Sequence, residues 1–139
     1  MKRDKATLER QTAAGTDIHD LSSDLAALVA DSEVSEGWLM LFVPGSTAAL
    51  TTIEFESGAV NDLKRALEGV APEGGEYEHN LRWGDGNGYA HVRAALMGPS
   101  LVVPITNGQL ATGTWQQVIL CDFDNRPRQR RITAQILGI

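Results

Sequence analysis

Alternation of apolar and polar residues predicts strands and helices in the first half of the chain. Residues 5–13 alternate at every second position, which is typical of a strand with one solvent-facing side. Residues 16–20 fit a second, short strand. Apolar residues at helical spacing then predict two helices, one beginning near Ser22 and one over residues 61–70. The first half therefore mixes strands with helices and shows no internal repeat.

A continuous apolar run from Trp38 to Val43 interrupts this alternation. A strand that is apolar on both faces is either buried on both sides within the chain or covered by a partner subunit. Pro44, Gly45 and Ser46 end the run, and a β-rich segment, Thr47 to Glu56, places Glu54 at the end of the next strand.

The second half of the chain is nearly all β. Residues 77–80 are expected to be extended, and a helix over 88–97 is terminated by Gly98-Pro99. Asn107-Gly108 is a strong hairpin signal. Three further strands are predicted over residues 101–105, 114–123 and 131–137. In the second of these, alternation places the following residues on one side: Trp115, Ile119, Cys121 and Phe123.

These elements number seven to eight strands and about three short helices, and strands do not alternate regularly with helices. A doubly wound parallel sheet requires that alternation. We therefore predict an α+β fold, a β-rich single domain over residues 1–139. Its core is expected to be an antiparallel sandwich or jelly-roll-like arrangement, with the short helices packed outside.

Composition narrows the class of protein. The 139 residues fit one domain, and the net charge of −6 argues against a nucleic-acid partner. The single cysteine, Cys121, excludes an internal disulfide and lies in an apolar run, which predicts a buried thiol. Because no run of 18 apolar residues and no signal-peptide core occurs, we expect a cytoplasmic protein with no membrane partner.

The strongest candidate for a site lies between Tyr77 and Gln117. His79 and His91 flank a glycine-rich loop that carries Asp85. If the loop folds back, two imidazoles and a carboxylate converge and leave open positions on a zinc, iron or manganese ion. Such a cation would acidify a bound water or anchor a diphosphate. The alternative is that each histidine only caps a loop. The third histidine, His19, is interpreted as structural.

Several segments are candidates for anion binding. Gly45-Ser46-Thr47 offers hydroxyls and backbone N–H groups after a sharp turn, and Arg82 lies in a loop from which it reaches an anion. Four arginines between 126 and 131 either hold phosphate or belong to a solvated turn that leads into a strand edge. Arg93 lies on a different helix face from His91, which favours a salt bridge or a subunit contact.

Taken in order, six segments between about residue 37 and residue 139 resemble the YjbQ-like family, whose members carry the description "secondary thiamine-phosphate synthase". These segments are PGSTAALTTIE, YEHN, WGDGNGYAH, LMGPSLVVPITNG, GTWQQVILCDFD and RQRRITAQILG. The resemblance implies a compact β-rich α+β fold and a homotrimer. It also implies a polar pocket near the subunit interfaces, with histidines that bind a metal ion or an anion.

The resemblance assigns roles to residues of this chain. His79, His91 and Asp85 match the family's site and are expected to hold a divalent metal, zinc or magnesium. The expected catalytic residues are His79, His91, Asp85 and Glu54. Substrate or anion binding is expected of Ser46, Thr47, Arg82, Asn107 and Gln116. The chain departs from the pattern at Gly45, where many members have histidine, so weaker metal binding is expected.

Three functions remain open at this stage, with an enzyme favoured. The family description implies thiamine-phosphate synthase-like chemistry, in which a pyrimidine methyl diphosphate joins a thiazole phosphate and releases pyrophosphate. Trp83 or Trp115 would then stack on the pyrimidine. A metal-assisted hydrolase of a small phosphoester uses the same residues. The third function is a non-catalytic ligand-binding trimer.

Overall fold

The computed structural model describes all 139 residues, in eight strands and four helices. The strands are β1 (Lys2–Thr12), β2 (Asp17–Asp20), β3 (Gly37–Phe42), β4 (Ala48–Ile53), β5 (Ser100–Thr106), β6 (Gln109–Leu110), β7 (Gln117–Asp122) and β8 (Arg128–Gly138). The helices are α1 (Ser22–Ser32), α2 (Ser57–Val70), α3 (Glu78–Trp83) and α4 (Gly88–Met97). None of the four is long and apolar enough to cross a bilayer.

The strands form two antiparallel sheets. The larger has the order β1-β8-β3-β5-β6 and the smaller the order β2-β7-β4. The longest pairing joins β1 to β8 in register from Lys2 opposite Gly138 to Thr12 opposite Arg128. Every strand pair is antiparallel, as the α+β prediction requires.

The three-stranded sheet is buried on both faces. Leu50 and Leu120 point into the main core, which lies between the two sheets and α1. Ile119 and Cys121, from the same sheet, point the other way into a second cluster with residues of α2 and α4. Cys121 is fully buried, and burial raises the pKa of its thiol to about 12. The predicted inert, buried thiol is confirmed.

The apolar run of β3 is buried on one face only. Leu39 and Leu41 lie in the core. On the opposite side Trp38 is 39% exposed, Phe42 42% and, on the neighbouring β5, Val102 60%. We call Trp38, Phe42 and Val102 the outer face. Of the two sequence-based alternatives, burial on both sides within the chain is wrong, and cover by a partner subunit stays a prediction.

Two helices differ from the sequence prediction. α2 begins at Ser57, because the Glu56 side chain accepts hydrogen bonds from the backbone N–H groups of Gly58 and Ala59. Residues 78–83 form the helix α3 where an extended segment was predicted at 77–80. A contact distant in sequence holds it there: the Asn80 side-chain oxygen accepts a hydrogen bond from Gly88 N at 2.9 Å.

The predicted strand 114–123 is shorter than expected. β7 begins at Gln117, and Trp115 lies before it in a turn, 72% exposed. The Gln116 side-chain oxygen accepts a hydrogen bond from Gly113 N at 3.0 Å, which closes this turn. Trp115 therefore does not share the buried side of Ile119 and Cys121.

Candidate functional site

The contact between α3 and α4 brings the two candidate histidines together. The ring centroids of His79 and His91 are 4.3 Å apart, with the ring planes tilted by 45°. Gly88 permits the close approach, since a Cβ at this position would lie 2.5 Å from the Tyr77 Cβ. The loop between the histidines thus folds back, the geometry on which the sequence-based hypothesis depends.

Asp85 lies beside this pair. One of its carboxylate oxygens is 3.5 Å from His79 Nδ1 and also accepts a hydrogen bond from Asn87 N at 3.1 Å. His79 Nδ1 is buried and makes no well-formed hydrogen bond, because the contact with Asp85 is long. The His79 ring therefore keeps one nitrogen without a hydrogen-bond partner inside the chain.

The donors at this position fit a divalent metal in part. Imidazole nitrogens with one carboxylate suit zinc better than magnesium, which prefers an all-oxygen set. Two histidines and Asp85 supply three donors, and Gly45 supplies none. No group of three or more His, Cys, Asp or Glu side chains converges in ligating geometry anywhere in the chain. Metal binding here accordingly stays a prediction.

A pocket of about 250 Å³ adjoins the histidine pair. His91 lines it together with Gly45, Ser46 and small residues of α4. The backbone N–H groups of Gly45 and Ser46 donate no hydrogen bond within the chain. Unpaired N–H groups in a tight turn form a partial positive charge that suits an anion. One histidine of the pair thus shares a pocket with the predicted anion-binding turn.

The buried carboxylate of Asp124 holds two walls of this region. Its Oδ2 accepts hydrogen bonds from Thr47 Oγ1 at 3.0 Å, Asn87 Nδ2 at 3.2 Å and Arg128 Nε at 3.0 Å. Thr47 follows the turn that lines the pocket, and Asn87 precedes the helix that carries His91. Burial opposes ionisation of Asp124, but these hydrogen bonds and the charge of Arg128 outweigh it and lower its pKa.

Arg130 also holds the end of this turn, through a hydrogen bond to Thr47. It is buried and forms a two-pronged ion pair with Asp122, with Nε–Oδ2 at 2.7 Å and Nη2–Oδ1 at 2.9 Å. Its Nη2 also donates to Thr47 Oγ1 at 2.6 Å. The arginine cluster is therefore not a solvated strand edge, since β8 lies between β1 and β3 and two of the arginines face inward.

The backbone conformation at position 45 favours glycine in this chain. Gly45 has a φ of +123°, and a Cβ built there would lie 2.8 Å from Arg130 Nη1. The family resemblance leads us to expect a histidine at this position. A histidine here would require a different backbone conformation and a displaced Arg130 side chain. The packing around Arg130 therefore favours glycine at this position.

The other predicted residues lie away from the histidine pair. Glu54 follows β4, at the opposite end of that strand from Thr47. Gln116 donates to Thr52 Oγ1 at 3.2 Å and lines a separate pocket of about 490 Å³. Asn107, in the β5–β6 turn, donates its backbone N–H to Glu36.

Three further basic residues have identified surroundings. Arg82, on α3, is exposed, with its guanidinium 5.4 Å from the ring centroid of Trp83. Arg93 is buried and pairs with Glu68 at 2.7 Å, which confirms the predicted salt bridge. His19 contacts Asp17 at 2.8 Å, in agreement with a structural role.

Sequence reasoning missed Asn87, Asp122 and Asp124 as parts of this region. A signal was present, because carboxylates alternate in Asp122-Phe123-Asp124 and arginines alternate in Arg128-Gln129-Arg130. Residues at every second position of a strand share one face. Two carboxylates on one face of a strand and two arginines on one face of the next predict ion pairs between the two strands.

Comparison with known proteins identifies the family. The model of the family described as "UPF0047 protein YjbQ-like" matches residues 6–139. The chain is 35% identical to a UPF0047 protein of Archaeoglobus fulgidus over 130 residues, covering 94% of this chain and 98% of that one. It is 31% identical to the UPF0047 protein YugU of Bacillus subtilis over 134 residues, covering 95% and 98%.

Solved structures share the fold. A YbjQ-like protein of unknown function from Sulfolobus solfataricus P2 superposes with a TM-score of 0.88 at 28% identity, covering 99% of both chains. An uncharacterised conserved protein of the YjbQ/UPF0047 family from Clostridium acetobutylicum gives a TM-score of 0.86 at 32% identity, covering 95% of this chain and 99% of that one. With its fold and sequence both matched along almost the whole length, this chain belongs to the YjbQ-like UPF0047 family.

Proposed function

We propose that this protein is an enzyme that acts on a small phosphorylated molecule. The observation that carries the proposal is the position of His91, which contacts the His79 ring and also lines the pocket with Gly45 and Ser46. A group able to transfer protons thereby lies next to a group able to hold an anion. This juxtaposition is what the cleavage of a phosphate ester requires.

The turn holds the phosphate in this proposal. The free N–H groups of Gly45 and Ser46 and the Ser46 hydroxyl are the donors. Thr47 holds the turn in place, because its hydroxyl accepts a hydrogen bond from Arg130 and donates one to Asp124. Donors that are held in place before the substrate arrives stabilise developing negative charge without rearrangement.

The two imidazoles divide the proton transfers. One ring accepts a proton from the attacking water, and the other donates a proton to the leaving oxygen. Asp85, 3.5 Å from His79 Nδ1, orients that ring and stabilises it when it carries a proton. In the alternative with a divalent ion, His79, His91 and Asp85 would hold the ion instead of transferring protons, and the ion would supply polarisation of the phosphoryl oxygen or acidify the attacking water.

Hydrolysis suits this pocket better than the condensation that the family description implies. The condensation needs an aromatic surface for a pyrimidine, and the candidates were Trp83 and Trp115. Trp83 is 66% exposed, and neither tryptophan lines the pocket that His91 lines. A phosphoester hydrolase needs only the turn, the histidine pair and water.

A turnover assay with matched variants tests the proposal. Purified protein is screened against phosphate monoesters with added Zn²⁺, with Mg²⁺ and with a chelator. We expect turnover that falls at least about 100-fold in the His79→Ala and His91→Ala variants. His19→Ala removes the remaining histidine and should retain full activity. Turnover that persists in the His79→Ala/His91→Ala double variant contradicts the assignment of the reaction to the histidine pair. Absence of turnover from every condition contradicts the enzyme and favours a ligand-binding protein.

We further propose that the protein assembles as a homotrimer through the outer face. Trp38, Phe42 and Val102 are large apolar side chains on adjacent strands, and their exposure in one chain is costly in water. A second copy that covers them would remove this cost. The trimer and the enzyme are independent proposals, because the outer face does not include the histidines or the turn.

A further inference from the structure

We infer that the substrate class of this pocket is the phosphate monoester of a short aliphatic group. The inference rests on the proposed function and names the chemistry that the site selects. Its starting point is the uneven lining of the pocket. The lining contains Gly45 and Ser46, whose backbone N–H groups are unpaired, and His91, and its other members are small apolar residues.

The apolar side sets the chemistry of the group attached to the phosphate. It consists of Ala48, Ala94, Ala95 and Pro99. Ala48 and Ala94 are buried, so their methyl groups form a fixed wall. Alkyl surface packs against alkyl surface and gains free energy when it leaves water. A hydroxyl-rich or charged group would lose its water there without gaining a hydrogen-bond partner.

The pocket volume sets the size of that group. About 250 Å³ is available, and pockets for drug-sized ligands hold about 300–1,000 Å³. A phosphate with a few methylene groups fits this space. A nucleoside monophosphate would extend beyond the walls into solvent, where the chain offers it no further contact in the pocket.

The position of the phosphate follows from the polar side. The turn contributes Gly45 and Ser46 to the lining, and α4 contributes His91, Ala94 and Ala95. The phosphate thus lies at Gly45 and Ser46, the alkyl chain lies along α4, and the ester oxygen lies between them near His91. This arrangement brings the scissile bond to the histidine that the proposed reaction uses.

A binding series of increasing chain length tests the inference separately from catalysis. Inorganic phosphate and the methyl, ethyl and propyl phosphates are titrated into the protein, and the amide resonances of Gly45 and Ser46 are followed by NMR. Affinity is expected to rise about fourfold with each added methylene, the equivalent of about 0.8 kcal/mol per buried methylene. A nucleoside monophosphate is expected to bind no more tightly than inorganic phosphate.

Two variants locate the effect. Ala95→Leu fills the apolar side, so propyl phosphate should bind it no more tightly than inorganic phosphate does. Ala27→Leu places the same change on an exposed position of α1 and should leave the chain-length series intact. Equal affinity along the series, or tighter binding of the nucleotide, overturns the inference even if histidine-dependent turnover is found. A normal series without such turnover refutes the proposed enzyme and leaves the alkyl phosphate site standing.

Discussion

Asp124 and Asn87 are joined by a buried hydrogen bond of 3.2 Å from Asn87 Nδ2 to Asp124 Oδ2. The bond ties the loop after β7 to the start of α4, the helix that carries His91. Asn87 in turn accepts a hydrogen bond from Asn125 N at 3.1 Å, so the two loops are joined twice. The geometry of the histidine pair thus depends on a carboxylate outside the pocket.

Asp124→Asn should destabilise the fold. The substitution removes the negative charge that pairs with Arg128. It also reduces the number of hydrogen bonds that residue 124 can accept from Thr47 and Asn87. Because the buried Asp124 loses acceptor capacity while Arg128 stays partly in solvent, we expect a loss of about 1–3 kcal/mol in the free energy of unfolding. Urea denaturation followed by circular dichroism measures it.

Asp62→Asn is the matched control for this change. Asp62 also pairs with an arginine, Arg65, but on the exposed surface of α2. Exposed pairs of this kind contribute less than about 1 kcal/mol. Equal losses in the two variants would show that burial of Asp124 adds nothing to its contribution.

The lowered pKa of Asp124 predicts a dependence of stability on pH. A carboxyl group with a depressed pKa in the folded state stabilises the fold above its unfolded pKa, near the ordinary 3.8. This contribution is lost as pH falls from 3.8 through the lower folded-state pKa. Unfolding free energies measured between pH 7 and pH 2 should therefore fall less steeply below pH 4 for Asp124→Asn than for the wild type. Parallel curves would contradict the assignment.

Gly45→Ala tests whether the turn requires glycine. A φ of +123° is unfavourable for alanine, and the new methyl group would meet Arg130 Nη1 at 2.8 Å. We expect a loss of about 1–3 kcal/mol in unfolding free energy. Gly74→Ala is the control, since a Cβ at Gly74 meets nothing within 4 Å. A Gly45→Ala protein as stable as the control would show that the turn adapts without cost.

Most of the sheet structure was predictable because it follows local alternation. The predicted helix 88–97 agrees with α4, Gly88–Met97, since Gly98 ends it locally. α3 was not predictable, because its six residues are too few for a stable isolated helix and Asn80 holds it through Gly88.

The partners within the buried support of the candidate site could not be assigned from the sequence. Thr47 and Asn87 come from two segments far along the chain from Asp124 and Arg128, and no spacing rule connects the three segments. The histidines were easier to identify, because they flank one short loop. Alternating charges after residue 121 indicated buried ion pairs, but only the fold assigns each arginine to its carboxylate.

The outer face makes a separable prediction about assembly. If Trp38, Phe42 and Val102 pack against another copy, Phe42→Lys places a charge in an apolar interface and should dissociate the protein to monomers. Analytical ultracentrifugation should then find a trimer for the wild type and a single chain for the variant. Val70→Lys, at a more exposed valine on α2, should remain trimeric.

A wild-type monomer at all concentrations would reject the trimer, whereas a trimer that survives Phe42→Lys would show that the interface lies on another surface. Because the outer face excludes His79 and His91, a monomeric Phe42→Lys protein that retains turnover would further show that one chain holds a complete site.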